Sequence, residues 1–189
     1  RRPPRSTPRQ GRRQRQMCIR DRTFSSVELF AKDVGGKTVP ISGVFSGYLL
    51  GFDEDPAVIS ARCNPPDGKF AWAVTSFEGW GTMSHLGESY IYAEHCSYGT
   101  EATGPDGTYG EGEITTIADN GDVLMGTYTN GASLSPPPII GFMDYVTFVD
   151  GGTGRFTFAS GSGVEMGSVD FNDFSFTLQM TGVIAYKKK

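Results

Sequence analysis

The sequence predicts an all-β chain that closes into one antiparallel up-and-down barrel of about eight strands. Three observations carry this expectation. Glycine is abundant, at 26 of 189 residues, beside 13 Phe and 8 Tyr, a composition suited to strands and tight turns. Turn dipeptides recur at Asp67-Gly68, Asp106-Gly107, Asn120-Gly121, Asn130-Gly131 and Asp150-Gly151. Asn, Asp and Gly reach the positive φ angles that short hairpins demand. Between these points apolar and polar residues alternate with period two, not 3.6.

Strands are expected near residues 39–52, 70–79, 84–97, 109–118, 122–130, 139–149, 154–169 and 174–186. The last is the plainest. Phe174, Phe176, Leu178, Met180, Ile184 and Tyr186 fall on one face, and Ser175, Thr177, Gln179 and Thr181 on the other. Such strands must bury one face and dispose of two sheet edges. Closure does both, with a two-sheet sandwich as the alternative. Glycines within strands, such as Gly43, Gly47, Gly161, Gly163 and Gly167, favour the barrel, because strongly bent strands need them. Two longer connections, Asp53 to Lys69 and Ser133 to Pro138, are the candidates for a lid.

Charge divides the chain. Residues 1–22 hold nine Arg, no Lys and a single acid, Asp21. The stretch QRQMCIRDR within them resembles translated sequencing-adapter read-through, so residues 1–22 are set aside as a non-native, disordered segment. Residues 23–36 read as a leader or linker, and residues 37–189 as the barrel domain. The remainder, residues 23–189, has eight Lys/Arg against twenty Asp/Glu, a formal net charge of −12 that would repel nucleic acid. No stretch approaches the ~20 apolar residues of a membrane-spanning helix. Beyond Cys18, the cysteines are Cys63 and Cys96, which fit either a disulfide or two free thiols. A disulfide would suit secretion or a periplasmic location. There is no Cys-x-x-Cys and no His cluster at ligand spacing, so no metal site is expected.

The stretch FVDGGTGRFTFASGSG (Phe148 to Gly163) tests for a cofactor loop. A phosphate loop delivers glycines to a helix N-terminus. Here Phe156 and Phe158 alternate with Thr157 and Ala159, a strand pattern, and neither the third glycine of a dinucleotide loop nor a Walker Lys follows. Glycines 151, 152 and 154 therefore read as a turn, and no cofactor is expected.

With SHLGES (Ser84 to Ser89), EHC (Glu94 to Cys96), ADNGDVLMGTYTNG (Ala118 to Gly131) and FTLQMTGVIAY (Phe176 to Tyr186), the same stretch resembles the allene oxide cyclase and dirigent-type barrels, in particular their uncharacterised bacterial members. The ordered set spans about residues 37–186. The resemblance implies an eight-stranded antiparallel barrel with an apolar interior, trimeric in many plant members. It also implies cofactor-free handling of a reactive small molecule. It transfers scaffold positions only: Gly151, Gly152, Gly154, Arg155 and Phe156 in the turn, His85 and Gly87, and Asn120 and Gly121. No catalytic residue is carried over.

Candidate ligand contacts are Trp72, Phe77, Trp80, His85 and Arg155. Phe70, Trp72, Phe77 and Trp80 form an aromatic cluster that could stack a ligand or simply fill the core. His85 and His95, ten residues apart on one uninterrupted strand, would lie about 33 Å apart and share no metal. His85 reads as a polar plug at a barrel end. Arg155 reads as an ion-pair partner of Asp150 or Asp144, with an anion hook at the mouth as the alternative. Glu88, Tyr90, Tyr92 and Glu94 are expected to face outward, since unpaired carboxylates in a small lumen cost too much.

Three functions follow as alternatives: a barrel binding a lipophilic small molecule in its lumen, a cofactor-independent cyclase or stereo-steering enzyme, and a structural or oligomer-forming barrel with a packed interior. A hollow lumen would support the first two. A buried Glu, Asp or Tyr within it would favour chemistry.

Overall fold

A computed structural model describes residues 37–187, and the expectations placed on residues 1–36 lie outside them. The strands are β1 (Val39–Asp53), β2 (Phe70–Met83), β3 (Gly87–Thr100), β4 (Gly104–Ala118), β5 (Val123–Ser133), β6 (Ile139–Val149), β7 (Ser160–Asp170) and β8 (Ser175–Ala185). A short helix, α1 (Pro56–Arg62), joins β1 to β2. Each strand pairs antiparallel with the next, and β8 returns to β1, so the sheet is a closed eight-stranded barrel. The closing ladder runs from Val39 opposite Ile184 to Tyr48 opposite Ser175.

The period-two pattern sets which side chains point inward. Ile41, Phe45 and Leu49 of β1 and Phe176, Leu178, Met180 and Ile184 of β8 are all buried. Phe174, assigned to that face by alternation, instead occupies the β7–β8 turn at φ 59° and is exposed. The left-handed backbone there rotates it off the strand's phase.

Two expected turns lie within strands. Gly107 falls inside β4 and Asn130 inside β5, where the register against β6 shifts between Thr129 and Ala132. Both residues have positive φ, 74° and 57°. Positive φ serves bulges and strained strand positions as well as turns.

The barrel's ends differ. At one end Leu86, Phe156, Ala159 and Tyr186 form a buried plug. The predicted strand from residue 154 is corrected here: Gly154–Phe156 is one turn of 3-10 helix, and β7 starts only at Ser160. The reason lies in the turn's anchoring. Thr153 N donates to Val123 O at 2.9 Å, and Val123 N donates to Thr153 Oγ1 at 2.9 Å. Gly154 has φ 57°, and a Cβ there would run into the Asp122 carboxylate. The chain thus folds back over the β4–β5 hairpin and drives Phe156 into the barrel. Arg155 consequently pairs with Asp122 (Nε to Oδ2, 2.9 Å), not with Asp150 or Asp144, and donates from Nη2 to His85 O at 2.9 Å.

At the other end, α1 is capped by Asp55, whose side chain accepts from Ala57 N at 2.8 Å, and carries Pro56 in its first turn. It is strapped to the outer wall. Arg62 donates to Glu94 Oε1 at 2.7 Å and to Glu111 O at 2.9 Å. Cys63 and Cys96 are joined as a disulfide. Of the two expected lids, the Asp53–Lys69 connection therefore packs outside, while Ser135, Pro136 and Pro137 of the other overhang the interior.

The disulfide closes a loop with a sequence separation of 33. Chain-entropy scaling gives such a loop a stabilisation of about 3–4 kcal/mol. Replacing Cys63 and Cys96 together by Ser should lower the free energy of unfolding by about that amount, measured by urea denaturation without reductant.

Candidate functional site

Below the open end lies a cavity of about 580 Å³. Phe142 and Asp144 of β6 and Glu165 and Val169 of β7 form part of its wall. Gly161, Gly163 and Gly167 of β7 stand opposite Phe148, Val146 and Phe142 of β6, and a Cβ on Gly163 or Gly167 would crowd Val146 or the Phe142 ring. Between Gly163 and Gly167, the inward residue is Glu165, and its cross-strand partner is Asp144. Both carboxyls are buried, with 3% and 2% exposure, and both line the cavity.

These carboxyls form a buried acidic pair on a mainly apolar cavity wall. Tyr109 donates its hydroxyl to Asp144 Oδ2 at 2.9 Å. Neither Asp144 Oδ1 nor Glu165 Oε1 receives a hydrogen bond from another side chain or the backbone among the described residues. The two groups contact each other and can share a proton. Burial raises Asp144 from its ordinary value to about 6, only partly offset by the Tyr109 hydrogen bond. Burial, then the neighbouring Asp144 charge, raises Glu165 well above the carboxylate range. Two like charges at such a site resist joint ionisation. Burial and mutual repulsion therefore favour retention of a proton by the pair, Glu165 being the more strongly raised.

His95 of β3 completes the cluster. Its Nδ1 lies 2.9 Å from the Tyr128 hydroxyl, and its ring stacks on Tyr109 with centroids 4.3 Å apart. Burial first, then the Arg62 charge behind the wall, lowers His95 to about 3, so the imidazole is neutral. Burial also raises both tyrosine hydroxyls, with the carboxyl charges adding to the effect. Two glycines make room for the rings. A Cβ on Gly112 would collide with the Tyr128 ring, and one on Gly131 with the Tyr109 ring. Each glycine is the cross-strand partner of that tyrosine.

The expected ligand contacts separate on the structure. Trp72 and Phe77 line the cavity; Phe52, Trp72 and Phe171 stack in series, with centroids 5.2 and 6.3 Å from Phe52. Trp80 does not line it: it lies on the outer wall, 53% exposed, because it falls on the outward phase of β2. His85 and Arg155 do not either. Both belong to the plugged end, where His85 Nε2 is 2.8 Å from Pro40 O. His85 has φ 70° in the turn before β3, so the two histidines do not share an uninterrupted strand. The residues Gly151, Gly152, Gly154, Asn120 and Gly121 gather at that same closed end. Tyr90, Tyr92 and Glu94 are on the outer wall, bonded to Glu78, Glu94 and Arg62 respectively.

Sequence reasoning missed Asp144, Glu165, Tyr109 and Tyr128 as site residues and weighed His95 only against His85. A signal existed. In IIGFMDYVTFV, Asp144 is in phase with Ile140, Phe142, Val146 and Phe148. An acid in an apolar phase marks a buried carboxyl.

No family model matches the chain, and no curated protein or solved structure matches it either.

Gly112→Ala should displace the Tyr128 ring, break its bond to His95 and destabilise the barrel by about 1–3 kcal/mol, read by denaturation and by the His95 ring resonances. The carboxyls give a pH prediction. Asp144's folded value lies above its unfolded one, so its favourable contribution is complete below about pH 4 and is lost as pH rises through about 6. His95 acts oppositely: its contribution is complete above about pH 6.5 and is lost as pH falls toward 3. Asp144→Asn should therefore gain stability relative to the parent between pH 4 and 7 and hold a constant advantage above that. Melting temperatures of both proteins across pH 4–9 check this.

Proposed function

We propose that the protein binds a lipophilic small molecule in the barrel lumen, with the Asp144–Glu165 pair as a polar contact on its wall. The supporting observation is the cavity of about 580 Å³, mainly apolar in its lining, with the two buried carboxyls on its wall. That volume is in the range of small-molecule sites, and it weighs against the packed-interior alternative. Ligand affinity on this reading comes from burying apolar surface against Phe77, Ile91, Leu178 and their neighbours, and orientation comes from the carboxyl pair.

A second reading, cofactor-independent catalysis, is favoured by the cluster itself. A protonated Glu165, an Asp144 poised near 6 and a neutral His95 place a proton donor and acceptors against a water-poor lumen. Such a site could give a proton to a bound carbonyl or epoxide oxygen and remove one from an adjacent carbon. The chemistry suits isomerisation or ring closure, in keeping with the resemblance to allene oxide cyclase and dirigent-type barrels. The disulfide supports an oxidising compartment, secreted or periplasmic.

Titration with Nile red tests the binding reading. Saturable one-to-one fluorescence enhancement is expected, reduced at least tenfold in affinity by Ala93→Phe, which fills the lumen from a buried inward position. An absence of saturable binding, or binding indifferent to Ala93→Phe, would count against it. For the catalytic reading, deuterium exchange at the α-carbon of a bound lipophilic ketone should be accelerated by the parent protein and not by Glu165→Gln.

A further inference from the structure

We infer that the lumen is built for a lipophilic organic cation: a protonated amine on an apolar body, its ammonium group seated at the Asp144–Glu165 pair. The inference rests on the lumen-binding reading above and adds the charge of the ligand. Four observations point the same way.

The first is an electrostatic imbalance. Asp144 and Glu165 are both more than nine-tenths buried on the cavity wall, and Asp144 Oδ1 and Glu165 Oε1 lack donors from other groups. Among the described residues, no Lys or Arg lines this cavity. The nearby bases are committed elsewhere: Arg62 pairs with Glu94 on the outer wall, and Lys69 pairs with Asp106 at the rim, 3.1 Å away. His95 is buried and neutral. A buried negative charge without a cation is costly, and an ammonium N–H supplies both the missing charge and the missing donor.

Aromatic faces supply the second. Phe77, Tyr109, Tyr128, Phe142 and Phe176 share the cavity with the carboxyls. Ring quadrupoles attract organic cations, and more strongly where water is excluded. The third is exclusion of the opposite sign. A carboxylate placed beside the pair would meet two acids and no Lys or Arg, so an anionic group stays at the mouth or does not bind. The fourth is long-range. The described barrel, residues 37–187, carries five Lys/Arg against eighteen Asp/Glu, a field that draws cations toward it.

A matched series on the unmodified protein decides the matter: 2-naphthylmethylamine, 2-naphthalenemethanol and 2-naphthoate, each competing with Nile red at pH 7.5 and 0.15 M salt. The amine should bind at least tenfold more tightly than the alcohol, and the carboxylate most weakly. Removing the carboxyls, with Asp144→Asn and Glu165→Gln together, should bring the amine to within about threefold of the alcohol while leaving the alcohol's affinity in place. Equal affinities across the series, or an alcohol tighter than the amine, overturn the cation inference while the lumen reading stands. Failure of Nile red and all three probes to bind takes down both. An amine preference that survives the double substitution assigns the cation to another part of the barrel and overturns the seat proposed here.

Discussion

The β1–β8 ladder is the contact on which every other feature depends. It pairs the free edges of the first and last strands and leaves the sheet without an edge. Once closed, each inward side chain must occupy the lumen, and each missing side chain leaves space there. Whether the interior is solid or hollow is then decided residue by residue. Toward the open end it stays hollow, with a cavity of about 580 Å³. Phe156, folded in from the β6–β7 connection, makes it solid at one end.

Against that apolar background the carboxyl pair is a local conflict. Burial of two acids on adjacent strands works against folding, and hydrophobic residues of similar size would remove the cost. The cross-strand pairing of β6 and β7 is made by backbone groups and does not require the pair. The surrounding residues accommodate the pair: Tyr109 donates to it, and Gly131 clears the space for the Tyr109 ring. Places where a chain breaks its own packing rule at a cavity are where function is expected.

Much of the fold was legible because it rests on local chemistry. Alternation fixed the strands, and turn dipeptides such as Asn120-Gly121 marked real hairpins. Legibility failed where one local signal serves two purposes. Asn130 and Gly107 use positive φ within strands, and the alternating residues after Gly154 form a helical turn because distant Val123 and Asp122 capture the backbone and Arg155. The site was harder still. Trp80 was attractive for its size, yet phase alone puts it outside, while Asp144 and Glu165 become neighbours only through the register of two strands. Each looks ordinary in isolation. Their meaning is pairwise, and a single chain does not state its pairs.

The disulfide-pinned α1 has a consequence for how the barrel can change over evolutionary time. With that connection tied to the exterior, the rim over the cavity is shaped by Ser135 to Pro137 and by strand ends, at the pole opposite the Phe156 plug. Cohesion is concentrated at one pole and discrimination at the other. Mutations can therefore accumulate around the opening and retune what is admitted, while the distant stopper keeps the cylinder intact.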